Sequence, residues 1–147
     1  MAKTYMTSQI NNSATIAEVA GAAIADVRGK FVKYDNDGNV VLASTAGEMV
    51  LGVGIITNSE NLAAGDNVDI QVKDIGLAKA GAAITKGAEI TVDANGTAGI
   101  AASGNFVIGV ALQSAAVGEF FYFQIAKYIK TGASAQGPSL GEEDGQL

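Results

Sequence analysis

The clearest alternation of apolar and polar residues lies near the middle of the chain. In NVDIQVK, residues 67–73, the apolar Val68, Ile70 and Val72 stand between polar neighbours. This period of two predicts a half-buried strand whose apolar side chains face a core. A second segment, FFYFQI at residues 120–125, carries aromatic rings at four successive positions. A strand alternates sides, so two of these rings are expected to point away from the core.

The chain contains two copies of one pattern. Segments 21–56 and 81–112 both open with GAAI, pass through an Asp-rich Gly turn (DNDG, then DANG), and continue into a further strand ending in a Gly-Val pair. The match continues after each copy, because AAGDNVDIQVKD at residues 63–74 parallels AVGEFFYFQIAK at residues 116–127. The first copy is longer around TNSENLAA, which is predicted to form a surface loop.

These features predict a mostly β fold with little helix. With 19 Gly and a single Pro, the composition favours short strands joined by Gly turns. We therefore predict a compact β-barrel or β-sandwich-like domain built from two duplicated β-units. The predicted boundaries are an N-terminal arm at residues 1–14, a β domain at 15–130 with an internal repeat at about 21–75 and 81–127, and a Gly, Ser and acid-rich tail at 131–147.

The Asp-Gly turns allow two interpretations. Asp37-Gly38 and Asn95-Gly96 lie between apolar segments, which is a strong hairpin signal. Asp35, Asp37 and Gly38 could instead begin a calcium loop, but such a loop needs a Glu at its twelfth position, where this chain has Ala46. A plain turn is therefore the prediction.

The duplication compares the outward rings with their counterparts in the first copy. The outward side of the second-copy strand carries Phe120, Tyr122 and, further on, Tyr128, whereas the first copy has Asn67 and Asp69 at the first two positions. The rings could lie beneath another segment of the same chain. Interfaces favour Tyr and Phe, however, so the preferred hypothesis is that Phe120, Tyr122 and Tyr128 form a subunit interface.

Charge and missing residue types limit the chemistry. The net charge of -6 argues against a nucleic-acid partner, and no apolar run is long enough to span a membrane. The chain has no His, Cys or Trp, which removes the commonest general base, thiol nucleophiles and the usual zinc ligands. The acids Glu48, Glu89, Asp93 and Glu119 fall at predicted turns, where carboxylates are common. We expect no enzyme activity, no metal site and no cofactor.

Three stretches resemble the capsid cement (head decoration) proteins of tailed bacteriophages. They are A-x-x-A-x-x-x-G from Ala14, GAAITKGxxITxDANGxA from Gly81, and FVIGVALQSAAVGEFFYF from Phe106. The resemblance covers residues 15–127 and is stronger in the second copy. It implies a structural virion protein, a homotrimer on the outer surface of the head, which contacts the major capsid protein between capsomers and stabilises the shell.

The resemblance brings no catalytic residues and leaves alternatives open. The base domain of a head fibre has a similar composition. A carbohydrate-binding module would need an exposed aromatic platform, for which Tyr5 and Tyr34 are the remaining tyrosines. The N-terminus lacks the apolar segment of a signal peptide, so synthesis in a host bacterial cytoplasm is expected.

The N-terminal arm is the predicted contact with the capsid. Residues 1–14 are polar and contain no Gly or Pro, so they could lie extended and add a strand to a neighbour. The candidate contact residues are Lys3, Tyr5, Met6 and Ile10. A frayed terminus is the alternative.

Overall fold

The computed structural model describes residues 13–132, and this part of the chain folds into twelve β-strands and no helix. The strands are β1 (Thr15–Val19), β2 (Ile24–Ala25), β3 (Phe31–Tyr34), β4 (Val40–Leu42), β5 (Gly52–Gly54), β6 (Asn61–Leu62), β7 (Asn67–Gln71), β8 (Ile75–Lys79), β9 (Glu89–Val92), β10 (Ala98–Ile100), β11 (Phe106–Ala111) and β12 (Phe120–Ile129). The predicted contact residues Lys3, Tyr5, Met6 and Ile10 lie outside the described residues, as does most of the predicted tail.

Ten of these strands form two sheets with the same topology. One sheet has the order β1-β7-β5-β3-β4, and the other, read from its opposite edge, has the order β8-β12-β11-β9-β10. Every strand pair in both sheets is antiparallel. We call residues 15–71 unit 1 and residues 75–129 unit 2. The prediction of a mostly β fold is confirmed.

Each sheet is rolled so that its two edge strands meet. Ala20, just after β1, forms a parallel bridge with Val40 at the start of β4, and Ala80 forms the same bridge with Ala98 in unit 2. The N–H group of the next residue donates to the carbonyl of the bridged residue in each unit, from Gly21 to Val40 and from Gly81 to Ala98, both at 2.8 Å. Rolling each sheet in this way pairs edge strands that would otherwise be exposed.

The Asp-Gly turns are closed by their own first aspartate. Asp35 Oδ1 accepts hydrogen bonds from the N–H groups of Asp37 and Asn39 at 2.8 and 3.0 Å. The following Gly38 has φ of 81°, a left-handed conformation that Gly adopts at little cost. Asp93 makes the same pair of bonds in unit 2. The carboxylates thus act as turn acceptors, in agreement with the plain-turn prediction.

The insertion in unit 1 is more structured than a loop. Its surface is mainly exposed, but it contains β6, which pairs antiparallel with β2. Asn58 within it is buried and makes three hydrogen bonds, donating to the carbonyls of Ile55 and Asp69 and accepting from the Asp69 N–H. A buried amide with these partners fixes the insertion against β7.

The two units share one core. The larger buried cluster combines Phe31, Val50 and Val53 of unit 1 with most of the buried side chains of unit 2, whereas a smaller cluster lies within unit 1 alone. The rings of Phe31 and Phe123 meet edge-on at 5.8 Å. Burial of such side chains is the main stabilising term in folding, so the units form one domain.

Backbone hydrogen bonds also cross between the units. The Phe31 N–H donates to the Gly96 carbonyl at 2.8 Å. The 44–48 loop of unit 1 reaches into unit 2, where Gly47 donates to the Val92 carbonyl at 2.9 Å and accepts from the Phe106 N–H at 3.1 Å. This loop therefore continues the hydrogen bonding of the unit 2 sheet.

Candidate docking surfaces

The first candidate surface lies on the outward side of β12. Phe121 and Phe123 are fully buried, whereas Phe120 and Tyr122 are exposed, as the alternation predicts. Unit 1 has the polar residues Asn67 and Asp69 at the equivalent outward positions of β7. Outward rings on a strand are not needed for the core.

Tyr122 borders a cleft between the units. Tyr122 pairs with Leu77 across the β12–β8 ladder, and its N–H donates to Gln113 Oε1 at 2.9 Å. The cleft has a volume of about 210 Å³, and Ile56 and Ile75 add exposed apolar surface to it. Phe120 leans towards Gly29 of unit 1, so it is covered in part by its own chain.

The third predicted ring lies elsewhere. Tyr128 is near the end of β12, opposite Val107, and is separated from Tyr122 by about 20 Å of strand at the usual rise per residue. Its hydroxyl donates to Glu89, which also forms an ion pair with Lys130 at 3.1 Å. The structure therefore brings Phe120 and Tyr122 together and places Tyr128 on a separate surface.

The Tyr128 and Glu89 pair shifts both ionisations. The hydrogen bond to the carboxylate, together with burial and its negative charge, raises the pKa of Tyr128 to about 12. The hydrogen bonds from Tyr128 and Lys130 lower the pKa of Glu89. These shifts indicate a fixed polar cluster at this end of unit 2.

A larger surface, the open groove, lies on unit 1. It has a volume of about 850 Å³ and is lined chiefly by residues of β3, β4 and the 48–51 segment, including Tyr34 and Met49. Unit 2 contributes Phe106 and Lys127. Lys127 Nζ donates to the Leu51 carbonyl, and burial lowers the pKa of this amine. The groove is therefore mainly apolar with a charged margin.

Glu48 and Lys33 form that margin. They pair at 2.9 Å, and Glu48 also accepts from the N–H groups of Ser44 and Thr45 at 2.9 and 2.8 Å. Burial alone would raise the pKa of Glu48, but Lys33 and the two N–H groups outweigh it and lower the pKa. The carboxylate is thus held as an anion that caps its own loop.

The open groove did not emerge from the sequence as a candidate. A signal was present, because Met49 occupies in unit 1 the position that Phe106 occupies in unit 2. A large apolar residue at a corresponding position indicates a corresponding contact.

Three of the four acidic residues considered as catalytic candidates serve separate turns, whereas Glu89 lies in β9, not in a turn as predicted, and pairs with Tyr128 and Lys130. Glu48 caps the 44–48 loop, Asp93 closes the turn before β10, and Glu119 Oε1 accepts from the Ala116 N–H at 2.8 Å. Within residues 13–132, no group of three or more acidic side chains could hold a metal ion, and no helix is long and apolar enough to cross a membrane. Neighbouring backbone groups account for these carboxylates.

The described part of the chain is thus an all-β module whose distinctive features are its exposed apolar surfaces. Residues 52–123, from β5 into β12, match the model of the phage cement protein family. The resemblance drawn from the sequence is confirmed. The match agrees with the predictions of a structural, non-enzymatic protein and of a place on the capsid surface of the virion.

A solved structure supports the fold. The chain is similar to the N base of head fibre gp8.5 of bacteriophage phi29, with a TM-score of 0.58 and 18% sequence identity. The similarity covers 76% of this chain and 92% of the other. A comparison with curated proteins gave no match.

Proposed function

We propose that this protein binds the outer surface of the assembled phage head between capsomers and stabilises the shell. The match of residues 52–123 to the phage cement family carries this proposal. A protein that binds the assembled shell and not its separated subunits stabilises the shell by mass action. This mechanism requires docking surfaces and no catalytic group.

The exposed apolar surfaces support a partner of this kind. Tyr122, Ile56 and Ile75 are exposed around one cleft, and Phe120 is exposed two residues before Tyr122 on the same strand. Large exposed apolar patches mark protein–protein interaction sites. We propose that the major capsid protein and further copies of this chain are the partners.

We propose a homotrimer with Phe120, Tyr122 and Tyr128 in subunit contacts. Because Tyr128 lies apart from the other two rings, we propose that it belongs to a different contact from Phe120 and Tyr122. A trimer would engage several capsid subunits at once, so individually weak contacts would give tight attachment. Lys3, Tyr5, Met6 and Ile10 stay the candidates for contact with the capsid.

Co-sedimentation with heads tests the binding. Heads assembled without this protein are mixed with purified chain and sedimented, and a matched sample contains dissociated capsid protein. We expect the chain to co-sediment with intact heads and to saturate at a fixed number of copies. A chain that stays in the supernatant at all concentrations would contradict the proposal.

The base of a head fibre is the second candidate function. It is favoured by the structural similarity to the N base of the phi29 head fibre, which covers most of both chains. Electron microscopy of decorated heads separates the two functions. A further protein attached to the outer side of the β domain would favour the fibre base, and a bare β domain would favour cement.

A further inference from the structure

The contact between the two units is one-sided. In unit 2, the groove formed by Val92, Gly96, Asn105 and Phe106 is filled by Leu42 and the 44–48 loop of unit 1. The equivalent loop of unit 2, residues 101–105, does not fill the equivalent groove of unit 1, which is the open groove. The units thus pack head to tail. The open groove of unit 1 and the 101–105 loop of unit 2 are both left free, whereas their counterparts, the groove of unit 2 and the 44–48 loop of unit 1, contact each other inside the molecule.

Exposure differs accordingly between equivalent groove residues. Val92 is 1% exposed in unit 2, and its counterpart Tyr34 is 46% exposed in unit 1. Phe106 is 9% exposed, and its counterpart Met49 is 71% exposed. The open groove therefore keeps apolar residues at the positions that the contact buries in unit 2.

The turn glycines of the grooves show the same difference. A Cβ placed on Gly96 would lie 2.8 Å from the Leu42 side chain, whereas a Cβ on Gly38 would meet nothing within 4 Å. Both residues have φ near 80°, so the backbone is the same and only the neighbour differs.

The two loops also differ in what surrounds them, because the 44–48 loop is in contact with unit 2 and the 101–105 loop is free. A Cβ on Gly47 would touch Asn105, whereas one on its counterpart Gly104 would meet nothing within 4 Å. Ile100, the counterpart of Leu42, is 48% exposed. Unit 2 therefore presents an unfilled copy of the surface with which unit 1 contacts it.

We propose that the open groove receives the 101–105 loop of a second copy of this chain. Three copies joined in this way would place six units in one ring, with Tyr128 beside each contact. A head-to-tail contact closes into a ring when its rotation permits. The inference rests on the self-association in the proposed function and specifies the surfaces that produce it.

The backbone supports this occupant. Within residues 13–132, the Met49 N–H makes no hydrogen bond, whereas the equivalent Phe106 N–H donates to Gly47. The carbonyl of an incoming Gly104 is the matching acceptor. The second hydrogen bond of the contact inside the chain, from the Gly47 N–H to the Val92 carbonyl, has no counterpart between copies. The Gly104 N–H already donates to the Lys130 carbonyl of its own chain at 2.8 Å. Ala102 and Ser103 are small enough to enter a groove of this size.

The absence of cysteine allows a direct test by cross-linking. Inside the chain, a Cβ on Gly47 would lie 3.4 Å from the Asn105 Cβ, close to the usual disulfide separation. The equivalent pair between two copies is Glu48 and Gly104. One tagged chain carries Glu48→Cys, a second carries Gly104→Cys, and the two are mixed under mild oxidation, both free in solution and bound to heads.

Gly118→Cys is the matched control. Gly118 has φ of 88°, against 87° for Gly104, and is equally open. We expect the mixed disulfide to form with Gly104→Cys at least tenfold faster than with Gly118→Cys. Equal rates, or no mixed disulfide in either state, would overturn the inference.

A second measurement is independent of the glycine substitutions. Met49→Asp should reduce the solution mass from three times the chain mass of 14.8 kDa towards one, whereas Val117→Asp, at an exposed turn of unit 2, should leave it unchanged. An unchanged mass for Met49→Asp would overturn the inference. This outcome leaves the proposed function standing if the protein still binds heads. A ring that forms as described but never binds heads would instead refute the proposed function alone.

Discussion

Phe31 of unit 1 and Phe123 of unit 2 meet with ring centroids 5.8 Å apart and ring planes at 89°. Phe31 begins β3 and Phe123 lies within β12, so this contact joins the sheets of the two units. Edge-to-face pairs add about 0.5–1.5 kcal/mol beyond the area they bury. The contact explains why the duplicated halves behave as one domain.

Truncation of this pair should destabilise the whole domain. Phe31→Ala should lower the free energy of unfolding by about 3–5 kcal/mol, because a large ring leaves a cavity in a fully buried site. Urea denaturation followed by circular dichroism measures the change. Phe120→Ala is the control, and its loss should be smaller because that ring is partly exposed. Equal losses would contradict the shared core.

A pair of glycines isolates the contact between the units. Gly38→Ala and Gly96→Ala impose the same strain of about 1–2 kcal/mol, since both residues are left-handed. Gly96→Ala also pushes Leu42, and overpacking of this kind costs about 1–3 kcal/mol more. Denaturant midpoints of both variants give the difference. We expect Gly96→Ala to be the less stable, and the reverse order would argue against the packing described.

The Glu89 cluster predicts a dependence of stability on pH. Hydrogen bonds from Tyr128 and Lys130 lower the pKa of Glu89 in the folded state. The ionised carboxylate therefore stabilises the fold above the unfolded pKa of about 4.3, and this stabilisation is lost as the pH falls through the lower folded pKa. Thermal unfolding between pH 6 and pH 3, in the wild type and in Glu89→Gln, tests the sign.

Glu89→Gln should flatten the acid limb of the stability curve. Tyr128→Phe, which keeps the ring and removes the hydroxyl donor, should flatten it in part. If the wild type and Glu89→Gln lose stability equally on acidification, the cluster does not contribute in the folded state.

Polar substitution at the outward rings tests the proposed subunit contact. The double variant Phe120→Asp, Tyr122→Asp should fold, because unit 1 carries Asn67 and Asp69 at the equivalent positions of its own sheet, which has the same topology. Its solution mass by light scattering should fall below that of the wild type. A folded variant with the wild-type mass would place these rings outside any subunit contact.

The sequence predicted those features that depend on local patterns. Alternation identified Phe121 and Phe123 as inward residues, and the Asp-Gly turns located two hairpins. The repeat indicated that both halves share one topology. Each of these follows from residues close together in the chain.

The contacts between distant segments could not be predicted in this way. Nothing near Gly47 indicates that its loop would enter unit 2 between Val92 and Phe106. The pairing of β6 with β2 likewise depends on an insertion present in one unit only. The one-sided packing of the units arises from their three-dimensional arrangement, and it leaves Met49 exposed.

The heat stability of the phage head is the property that a cement function should change. Heads assembled without this protein are heated with and without saturating purified chain, and release of DNA is followed with an intercalating dye. We expect release at a higher temperature when the protein is bound, with the shift increasing with the number of copies bound. Release at the same temperature from fully decorated heads would contradict a cement function.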